Sequence, residues 1–269
     1  MIQDIGEHTF DNQYHPCPPD RESYALYYED HAALVRKYPD RIEFPKFRDI
    51  ERLNEDIYED AVYLFSIDGE RYYLVEEINR ERQSHFTMEN TEIFRYAEPQ
   101  YLAFAGITGY QLHNWYQSRR FCGKCGRRMK KDSKERMLYC ESCHNMEFPK
   151  ICPAVIIGVT DGDKILMSKY AGRTYKKYAL LAGFTEIGET LEETVQREVM
   201  EEVGLKVKNI RYYKSQPWSF TDTLLMGFYC DLDGGAAITL DREELAMAEW
   251  FQRDEIPVEP ERDSITNEM

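Results

Sequence analysis

The chain contains 269 residues, of which 49 are acidic and 34 basic, so its formal net charge is −15. Hydrophobic residues make up 42% and charged residues 31% of the chain, an ordinary globular composition that excludes wholesale disorder. No apolar run approaches the roughly 18 to 20 residues of a membrane helix, and no signal peptide is recognisable at the N-terminus. We therefore expect a cytoplasmic protein of about two domains without membrane contact. Its acidity argues against nonspecific nucleic-acid binding by the chain as a whole.

Residues 1–118 are predicted to form an N-terminal α+β domain. Two runs rich in β-branched and aromatic residues flank Asp68-Gly69 within residues 61–75, a pattern that predicts a β-hairpin. Apolar residues recur at helical spacing between Pro99 and Arg119 and predict one or two helices, with Gly106 as a possible break. Nothing in the residue pattern of this segment points to catalysis.

Four of the seven cysteines follow the pattern C-x2-C-x14-C-x2-C and define a predicted zinc ribbon over residues 119–150. Each C-x2-C presents two thiolates to one tetrahedral centre, so the two pairs can enclose a structural Zn2+ with no open coordination position. Disulfides are the alternative, but an odd number of cysteines without a recognisable secretion signal favours a reducing compartment. The predicted zinc ligands are Cys122, Cys125, Cys140 and Cys143. The other three cysteines are expected to be buried apolar residues.

Around the zinc motif the charge balance reverses, with nine basic and two acidic residues between Arg119 and Arg136. One interpretation is a patch that binds RNA or steers phosphates. The other is that the cations offset four thiolates on Zn2+, a site with a net charge of about −2. We favour the second interpretation, because no stacking aromatics alternate with these charges as they do in proteins that bind single strands.

Residues 151–269 are predicted to form a second large domain of mixed α and β structure. Two apolar runs flank Asp161-Gly162-Asp163 and predict a hairpin over residues 154–169. Further strands are expected near 207–213 and 224–230, followed by a short helix from about Asp241 to Met247. Strands and helices do not alternate regularly in a βαβ pattern, so the predicted fold class is α+β.

The sharpest feature of this domain is an acidic helix that is predicted to begin at Leu191 and to end at Gly204. Thr190 and Glu193 form a capping box, and glycine is the usual residue just past a helix C-terminus. Three valines, Val195, Val199 and Val203, share one face at helical spacing and are expected to pack on a sheet. Arg197 lies four residues from both Glu193 and Glu201 and is expected to pair with both.

The remaining glutamates of this helix, Glu198, Glu201 and Glu202, fall on a second arc and allow two interpretations. A charge run on a helix is usually a solvated face. Here, however, like charges stand at i,i+4 spacing, which destabilises a helix, and the segment contains no lysine to offset them. Converging carboxylates are the oxygen ligands that Mg2+ or Mn2+ requires, so we favour a metal site.

At this point the sequence resembles a known family. Gly183-x5-Glu189-x7-Arg197-Glu198-x2-Glu201-Glu202-x-Gly204 matches the fixed positions of the Nudix box. Ser215-Gln216-Pro217-Trp218 follows the box, and the four-cysteine motif precedes it. This combination resembles the NAD(H) pyrophosphatase branch of the Nudix hydrolases. The resemblance implies a Nudix α/β/α sandwich with a mixed sheet, preceded by a zinc ribbon and the N-terminal domain.

The resemblance also implies residue roles. The implied ligands of Mg2+ or Mn2+ are Glu198, Glu201, Glu202, Glu244 and the backbone carbonyl of Ala182, which also lies at the substrate. Glu201 or Glu202 would activate the attacking water. The other implied substrate contacts are Phe148, Phe184, Gln216, Pro217, Trp218, Phe220 and Thr223. The family works as a homodimer, so the resemblance implies a homodimer here as well.

The activity that follows from this resemblance is hydrolysis of NADH or NAD+ to nicotinamide mononucleotide and AMP. Two alternatives stay open: removal of NAD caps from RNA 5′ ends by the same chemistry, and a non-catalytic module that senses nucleotides. The sequence departs from the family after Trp218, where two expected prolines are replaced by Ser219 and Thr221. It also ends at Met269, where relatives are expected to continue into a helix. Both departures bear on substrate preference.

Overall fold

The computed structural model describes residues 1–54, 56–79, 85–172, 176–257 and 264–269, which group into two compact units. The N-terminal unit contains Ile2–Lys150 together with Ser219–Thr221, and it therefore includes the four cysteines. The C-terminal unit contains Met1, Ile151–Trp218 and Asp222–Met269. The finer division into 1–118, 119–150 and 151–269 stays a prediction. Among the described residues, no helix combines the length and apolarity that a membrane crossing requires.

The N-terminal unit is built from short strands around one long helix. Its predicted hairpin is confirmed, because the strands β6 (Val62–Ile67) and β7 (Glu70–Leu74) pair antiparallel, and Asp68 and Gly69 between them both have positive φ. Two positive φ values in succession match the twist of the paired strands, which is why this dipeptide favours hairpins. The elements in chain order are β1 (Phe10–Asp11), β2 (Tyr24–Leu26), β3 (Tyr28–Glu29), β4 (Ala32–Lys37), β5 (Ile42–Glu43), α1 (Phe47–Ile50), β6 (Val62–Ile67), β7 (Glu70–Leu74), β8 (Thr87–Asn90), a 3-10 helix (Thr91–Arg95), α2 (Gln100–Ser118), β9 (Lys130–Lys131), β10 (Leu138–Tyr139) and β11 (Met146–Glu147).

Helix α2 runs through Gly106 without a break. Of the two predicted alternatives, one helix or two helices separated at Gly106, the structure therefore has one helix. The glycine is used for close packing, since a Cβ at this position would press on the rings of Phe94 and Phe44. The Tyr28 hydroxyl also donates a hydrogen bond of 2.6 Å to the Gly106 carbonyl. Glycine at this position therefore brings the helix backbone close to the core.

The three strands β9, β10 and β11 form an antiparallel sheet around the cysteines. Two of the cysteines, Cys122 and Cys140, are buried together with Met129 and Leu138 in the same hydrophobic core as the N-terminal strands and α2. The zinc motif is thus packed into the N-terminal unit. Of the remaining cysteines, Cys230 is buried as expected, whereas Cys17 and Cys152 are partly exposed, which corrects the expectation for those two.

The C-terminal unit is a six-stranded mixed sheet. The elements are β12 (Cys152–Asp161), β13 (Lys164–Tyr170), β14 (Leu181–Phe184), α3 (Leu191–Val203), β15 (Val207–Trp218), β16 (Thr223–Leu232), β17 (Leu245–Gln252) and α4 (Ile265–Glu268). The strand order is β15-β16-β12-β13-β17, with β14 also paired to β12. The β12–β16 pair is parallel and the other pairs are antiparallel. The predicted 154–169 hairpin and the two predicted strands are confirmed.

The helix predicted from Asp241 to Met247 is wrong. A single turn, closed by a 2.9 Å hydrogen bond from the Leu245 N–H to the Asp241 carbonyl, leads directly into β17. Strand β17 pairs with β13 along Leu245–Gln252, and Leu245 is buried in the core. The edge of β13 offers backbone partners over seven residues, which outweighs a weak local helical preference.

Helices cover both faces of this sheet, as in the predicted α/β/α sandwich. Helix α3 buries Val195, Val199 and Val203 on one face, each completely. The short helix α4 places Ile265 on the other face, beside Ile156 of β12. Successive residues of a strand point to opposite faces, so the continuous apolar run of β12 serves both layers.

Candidate active site

Helix α3 begins and ends as predicted. The Thr190 hydroxyl accepts a hydrogen bond from the Glu193 N–H, while the Glu193 carboxylate accepts from the Thr190 N–H at 2.8 Å and from its hydroxyl at 2.9 Å. Gly204 has φ +68, the left-handed conformation that ends a helix. Because the cap occupies the Glu193 carboxylate, Arg197 does not pair with it, which corrects one of the two predicted ion pairs.

Arg197 instead holds three other carboxylates and one carbonyl. Its Nε lies 2.6 Å and its Nη2 3.0 Å from the two oxygens of Glu189, a bidentate contact. Its Nη1 lies 2.7 Å from Glu198 and 2.9 Å from Glu201, the second of these being the predicted pair. Nη2 also donates to the Phe184 carbonyl at 2.9 Å. The guanidinium of Arg197 therefore fixes the end of strand β14, the loop 185–190 and helix α3 relative to one another.

The Glu189 carboxylate is the anchor of the loop that precedes α3. It accepts hydrogen bonds from the Glu186 N–H at 3.1 Å and from the Thr194 hydroxyl at 3.0 Å. Arg197, followed by these hydrogen bonds, lowers the pKa of Glu189 to about 2. Glu189 thus stays ionised at physiological pH and acts here as a structural residue.

Glu198 is a buried carboxylate that lies against the backbone of strand β14. A Cβ at Gly183 would overlap the Glu198 carboxyl group, so only glycine leaves space for it. Burial raises the pKa of Glu198, and the charges of Glu201 and Glu244 act in the same direction, against the opposing effect of Arg197. Glu244, which lies in the turn before β17, is therefore an electrostatic neighbour of this helix although it is distant in sequence.

The two glutamates assigned to catalysis differ in exposure. Glu202 is 2% exposed, whereas the Glu201 side chain is 58% exposed and held by Arg197. Ala182 lies in β14, one residue before Gly183, where it pairs with Ile156 of β12. Glu198 and Glu202 are one helical turn apart, so hard oxygen donors at the predicted positions are present on one side of α3.

The donor set fits Mg2+ or Mn2+ in chemistry, because every assigned side chain is a carboxylate. Among the described residues, the group of three or more His, Cys, Asp or Glu that is placed to hold a metal ion is the four cysteines. In the acidic helix, one oxygen each of Glu198 and Glu201 is engaged by Arg197.

The residues assigned to the substrate lie in several different environments. Phe184 at the end of β14 and Phe148 in the N-terminal unit are each 56% exposed. Pro217 is exposed and Trp218 half-buried on β15, where Trp218 pairs with the buried Thr223 of β16. Exposed aromatic rings such as that of Phe184 are available for stacking.

Gln216, assigned as a hydrogen-bonding residue, is completely buried. Its Oε1 accepts a hydrogen bond of 2.7 Å from the Ile265 N–H, the first residue of helix α4. The side-chain oxygen thus caps the short terminal helix. Sequence reasoning did not identify this structural role, because the partner lies 49 positions away.

Phe220 groups with the N-terminal unit rather than with the strands on either side of it. The Arg95 guanidinium lies over its ring at 4.3 Å, and the ring packs against the hydrophobic core of that unit. A cation over an aromatic face is an attractive contact. No signal in the sequence relates Arg95 to Phe220.

The four cysteines form the predicted cluster. The Sγ atoms lie 3.5 Å apart in the Cys122–Cys143 pair and 3.4 Å apart in the Cys125–Cys140 pair, and all four lie within 4.8 Å of one another. Thiolates 2.3 Å from a tetrahedral zinc would be about 3.8 Å apart, so the cluster fits Zn2+ closely.

Both C-x2-C loops have the same backbone design. In each loop the residue four positions after the first cysteine, Gly126 or His144, has positive φ. Its N–H donates to that cysteine's carbonyl at 2.8 Å in both cases. Glycine adopts this left-handed conformation without strain at position 126, whereas His144 adopts it without being glycine and was not identified from the sequence.

Comparison with known families matches residues 150–269 to the NUDIX domain and residues 117–148 to the NADH pyrophosphatase zinc ribbon domain. Residues 150–269 therefore form a Nudix domain, and a zinc ribbon domain of the NADH pyrophosphatase type precedes it. Two curated relatives of this chain bear the name NAD-capped RNA hydrolase NudC. The Photorhabdus laumondii protein is 41% identical over 161 residues, and that of Enterobacter sp. strain 638 is 43% identical over 152 residues.

These alignments cover 60% and 56% of this chain, and 62% and 58% of the respective relatives. The chain thus spans less than two thirds of the length of the relatives it matches. Among solved structures, a NUDIX hydrolase from Nitrosomonas europaea is 26% identical, with 51% of this chain and 80% of that chain covered and a TM-score of 0.45.

Proposed function

We propose that the chain hydrolyses the pyrophosphate bond of NADH or NAD+ to give nicotinamide mononucleotide and AMP. The observation that carries the proposal is the carboxylate arc of α3, held by Arg197, in a chain that also contains a four-cysteine ribbon of the NADH pyrophosphatase type. Mg2+ or Mn2+, when bound by Glu198, Glu201, Glu202, Glu244 and the Ala182 carbonyl, would neutralise the diphosphate charge and lower the pKa of water.

The protein residues then have three tasks. Glu201 or Glu202 accepts a proton from the attacking water, for which a carboxylate within hydrogen-bond reach is required. Arg197 keeps Glu198 and Glu201 in place through its 2.7 Å and 2.9 Å contacts. The exposed ring of Phe184 stacks on the nicotinamide or on the other base, while Phe148, Gln216, Pro217, Trp218, Phe220 and Thr223 stay proposed contributors to the substrate site.

The decisive experiment compares Glu202→Gln with the unsubstituted chain, with AMP release from NADH measured in the presence of Mg2+. We expect a loss of at least about 100-fold in kcat, in the range for removal of a general base. Glu192→Gln on the exposed side of the same helix is the matched control and should retain activity. Unchanged kcat in Glu202→Gln, with the fold and zinc content intact, would refute the assignment.

A second candidate function is removal of NAD caps from RNA 5′ ends by the same chemistry. It is favoured by the names of the two relatives and by the basic stretch around the zinc ribbon. The test compares kcat/KM for NADH and for NAD-capped RNA at two salt concentrations, because contacts to an RNA backbone weaken with salt. A salt dependence confined to the capped RNA supports this function, and equal dependence for both substrates opposes it.

We further propose that the protein is a cytoplasmic homodimer. A reducing compartment keeps zinc-binding thiols free of disulfides, which suits the four-cysteine cluster. Light scattering coupled to size-exclusion chromatography would detect the dimer as twice the 31.9 kDa chain mass. A monomer at micromolar concentration would oppose this proposal.

A further inference from the structure

The N-terminal unit contains a groove of about 920 Å³ that has no place in the proposed reaction. The lining residues from the ribbon segment are basic, and the charged lining residues from the preceding segment are acidic. Tyrosines and prolines also line the groove. The residues that line it are Tyr14, Pro16, Cys17, Pro18, Pro19, Tyr58, Glu59, Asp60, Ala61, Val62, Tyr63, Glu76, Glu77, Arg120, Arg128 and Lys131.

The ribbon residues of the lining include two guanidinium groups that have no carboxylate partner in the described part of the chain. The backbone holds them on adjacent segments, since Arg128 bridges to Phe121 and the Met129 N–H donates to the Arg120 carbonyl at 2.9 Å. Among the described residues, neither Arg120 nor Arg128 lies within 4.0 Å of a carboxylate. Lys131, by contrast, pairs with Glu76 at 3.0 Å. Two exposed, uncompensated guanidinium groups at one groove are suited to phosphate oxygens.

The lining residues that precede the ribbon supply the aromatic rings that the ribbon sequence itself lacks. Tyr14 and Tyr58 are partly exposed, and the ring of Tyr14 lies 6.5 Å from that of Tyr63. Tyrosine rings next to a basic track are the combination by which proteins bind the bases and backbone of single strands. Here the two parts of that combination come from segments more than fifty residues apart.

The lining also contains exposed carboxylates. Glu59, Asp60 and Glu77 are exposed and repel phosphates, so phosphates are expected beside Arg120 and Arg128 rather than beside these residues. Carboxylates can accept hydrogen bonds from base amino groups, such as N4 of cytosine. A ligand that carries both phosphates and amino-bearing aromatic rings matches both kinds of lining residue.

We propose that this groove binds single-stranded RNA, with phosphates on Arg120 and Arg128 and bases against Tyr14 and Tyr58. The inference extends the capped-RNA part of the proposed function to the transcript beyond the cap. It requires no hydrolysis to be tested. From the sequence alone, the favoured interpretation is that the basic residues around the zinc motif only offset the charge of the zinc thiolates. The groove instead assigns RNA binding to two of these residues, Arg120 and Arg128.

The main test measures binding of a fluorescent 12-nucleotide uncapped RNA by anisotropy. We expect the double variant Arg120→Gln/Arg128→Gln to raise Kd at least about tenfold and to reduce the slope of log K against log salt by about 1.4, the value for two phosphate contacts on a single strand. Lys124→Gln/Lys130→Gln removes the same charge from the same segment outside the groove lining and should change Kd less than about threefold. Equal effects of the two double variants would overturn the proposal.

A second measurement locates the RNA by the reactivity of Cys17. This partly exposed thiol lies 3.3 Å from both the Tyr73 hydroxyl and Arg71 Nη1. Burial acts to raise its pKa, but the hydrogen bonds from Tyr73 and Arg71 outweigh burial and leave the pKa below the ordinary value. RNA in the groove should slow alkylation of Cys17, followed by mass spectrometry, but not of Cys152. Unchanged alkylation of Cys17 at saturating RNA would place the RNA elsewhere.

Two further arms separate the possible outcomes. A duplex RNA of the same sequence keeps its bases stacked and should bind at least about tenfold more weakly, whereas equal binding would reduce the groove to a general charge effect. The double variant Arg120→Gln/Arg128→Gln should hydrolyse NADH with unchanged KM. If NADH is not hydrolysed by any form while the RNA results hold, the proposed hydrolase function fails and the groove assignment stands.

Discussion

The backbone of Gly183 occupies the space that lies directly beside the carboxyl group of Glu198. Any Cβ at position 183 would overlap the Glu198 carboxyl carbon and both of its oxygens. Strand β14 is thereby pressed onto helix α3 at the one point where a proposed metal ligand projects. The first glycine of the Nudix box thus determines where a carboxylate can lie.

Gly183→Ala should therefore reduce activity more than stability. The atoms that would have to move belong to the end of a flexible side chain, so the carboxylate shifts while the fold is kept. We expect kcat for NADH to fall about 10- to 100-fold, as expected for a catalytic group displaced by about 1 Å. Gly235→Ala, in open space in the same unit, is the control and should have no effect. An active Gly183→Ala variant would show that Glu198 is not needed in its observed position.

Arg197→Lys tests whether positioning or charge matters in the site. Lysine keeps the positive charge but cannot make the bidentate contact with Glu189 together with the bond to the Phe184 carbonyl. We expect kcat to fall by about tenfold or more, because Glu198 and Glu201 lose their common support. Arg211→Lys also removes a bidentate contact, with Asp231 on the same sheet, and should leave kcat unchanged. If both variants lose activity equally, general destabilisation is the cause.

Zinc binding is tested at Cys125, the exposed member of the cluster. Purified chain should contain about one zinc per molecule, and Cys125→Ser should contain far less because a four-ligand site loses one thiolate. The melting temperature should fall as well, since Cys122 and Cys140 lie in the core of the N-terminal unit. Cys152→Ser should keep both zinc and melting temperature. Folded wild-type chain without zinc would contradict the assignment.

His113 on helix α2 should make the stability of the N-terminal unit depend on pH. Burial lowers its pKa despite the opposing charge of Glu76, and its ring lies against the rings of Tyr28 and Tyr110. The unfolded chain therefore binds the proton more readily than the folded chain. The free energy of unfolding is fully retained above the ordinary histidine pKa of about 6.5 and decreases as pH falls below it.

Denaturant unfolding at pH 7.5 and at pH 5.5 measures this effect. His113→Phe, which cannot take up a proton, should unfold with a smaller difference between the two pH values than the unsubstituted chain. His15→Gln removes an exposed histidine from the same unit and should leave the difference unchanged. An unaltered pH dependence in His113→Phe would show that other groups cause it.

Local patterns predicted the elements around the site well, because short-range geometry determines them. The capping box at Thr190, the left-handed Gly204 and the buried valine face of α3 follow from helical spacing alone. The Asp68-Gly69 hairpin follows from the turn conformation that these residues favour. Cysteine spacing likewise predicted the four-sulfur cluster.

The sequence by itself determined which side chains carry oxygen and sulfur ligands and on which local elements they stand. Only the tertiary structure decided which groups they meet. Arg197 pairs with Glu189 instead of Glu193 because the helix cap already holds Glu193. Strand β17 replaces a predicted helix because a sheet edge supplies its hydrogen bonds. The groove joins ribbon arginines to distant tyrosines for the same reason: contacts between remote segments depend on packing, which local spacing does not encode.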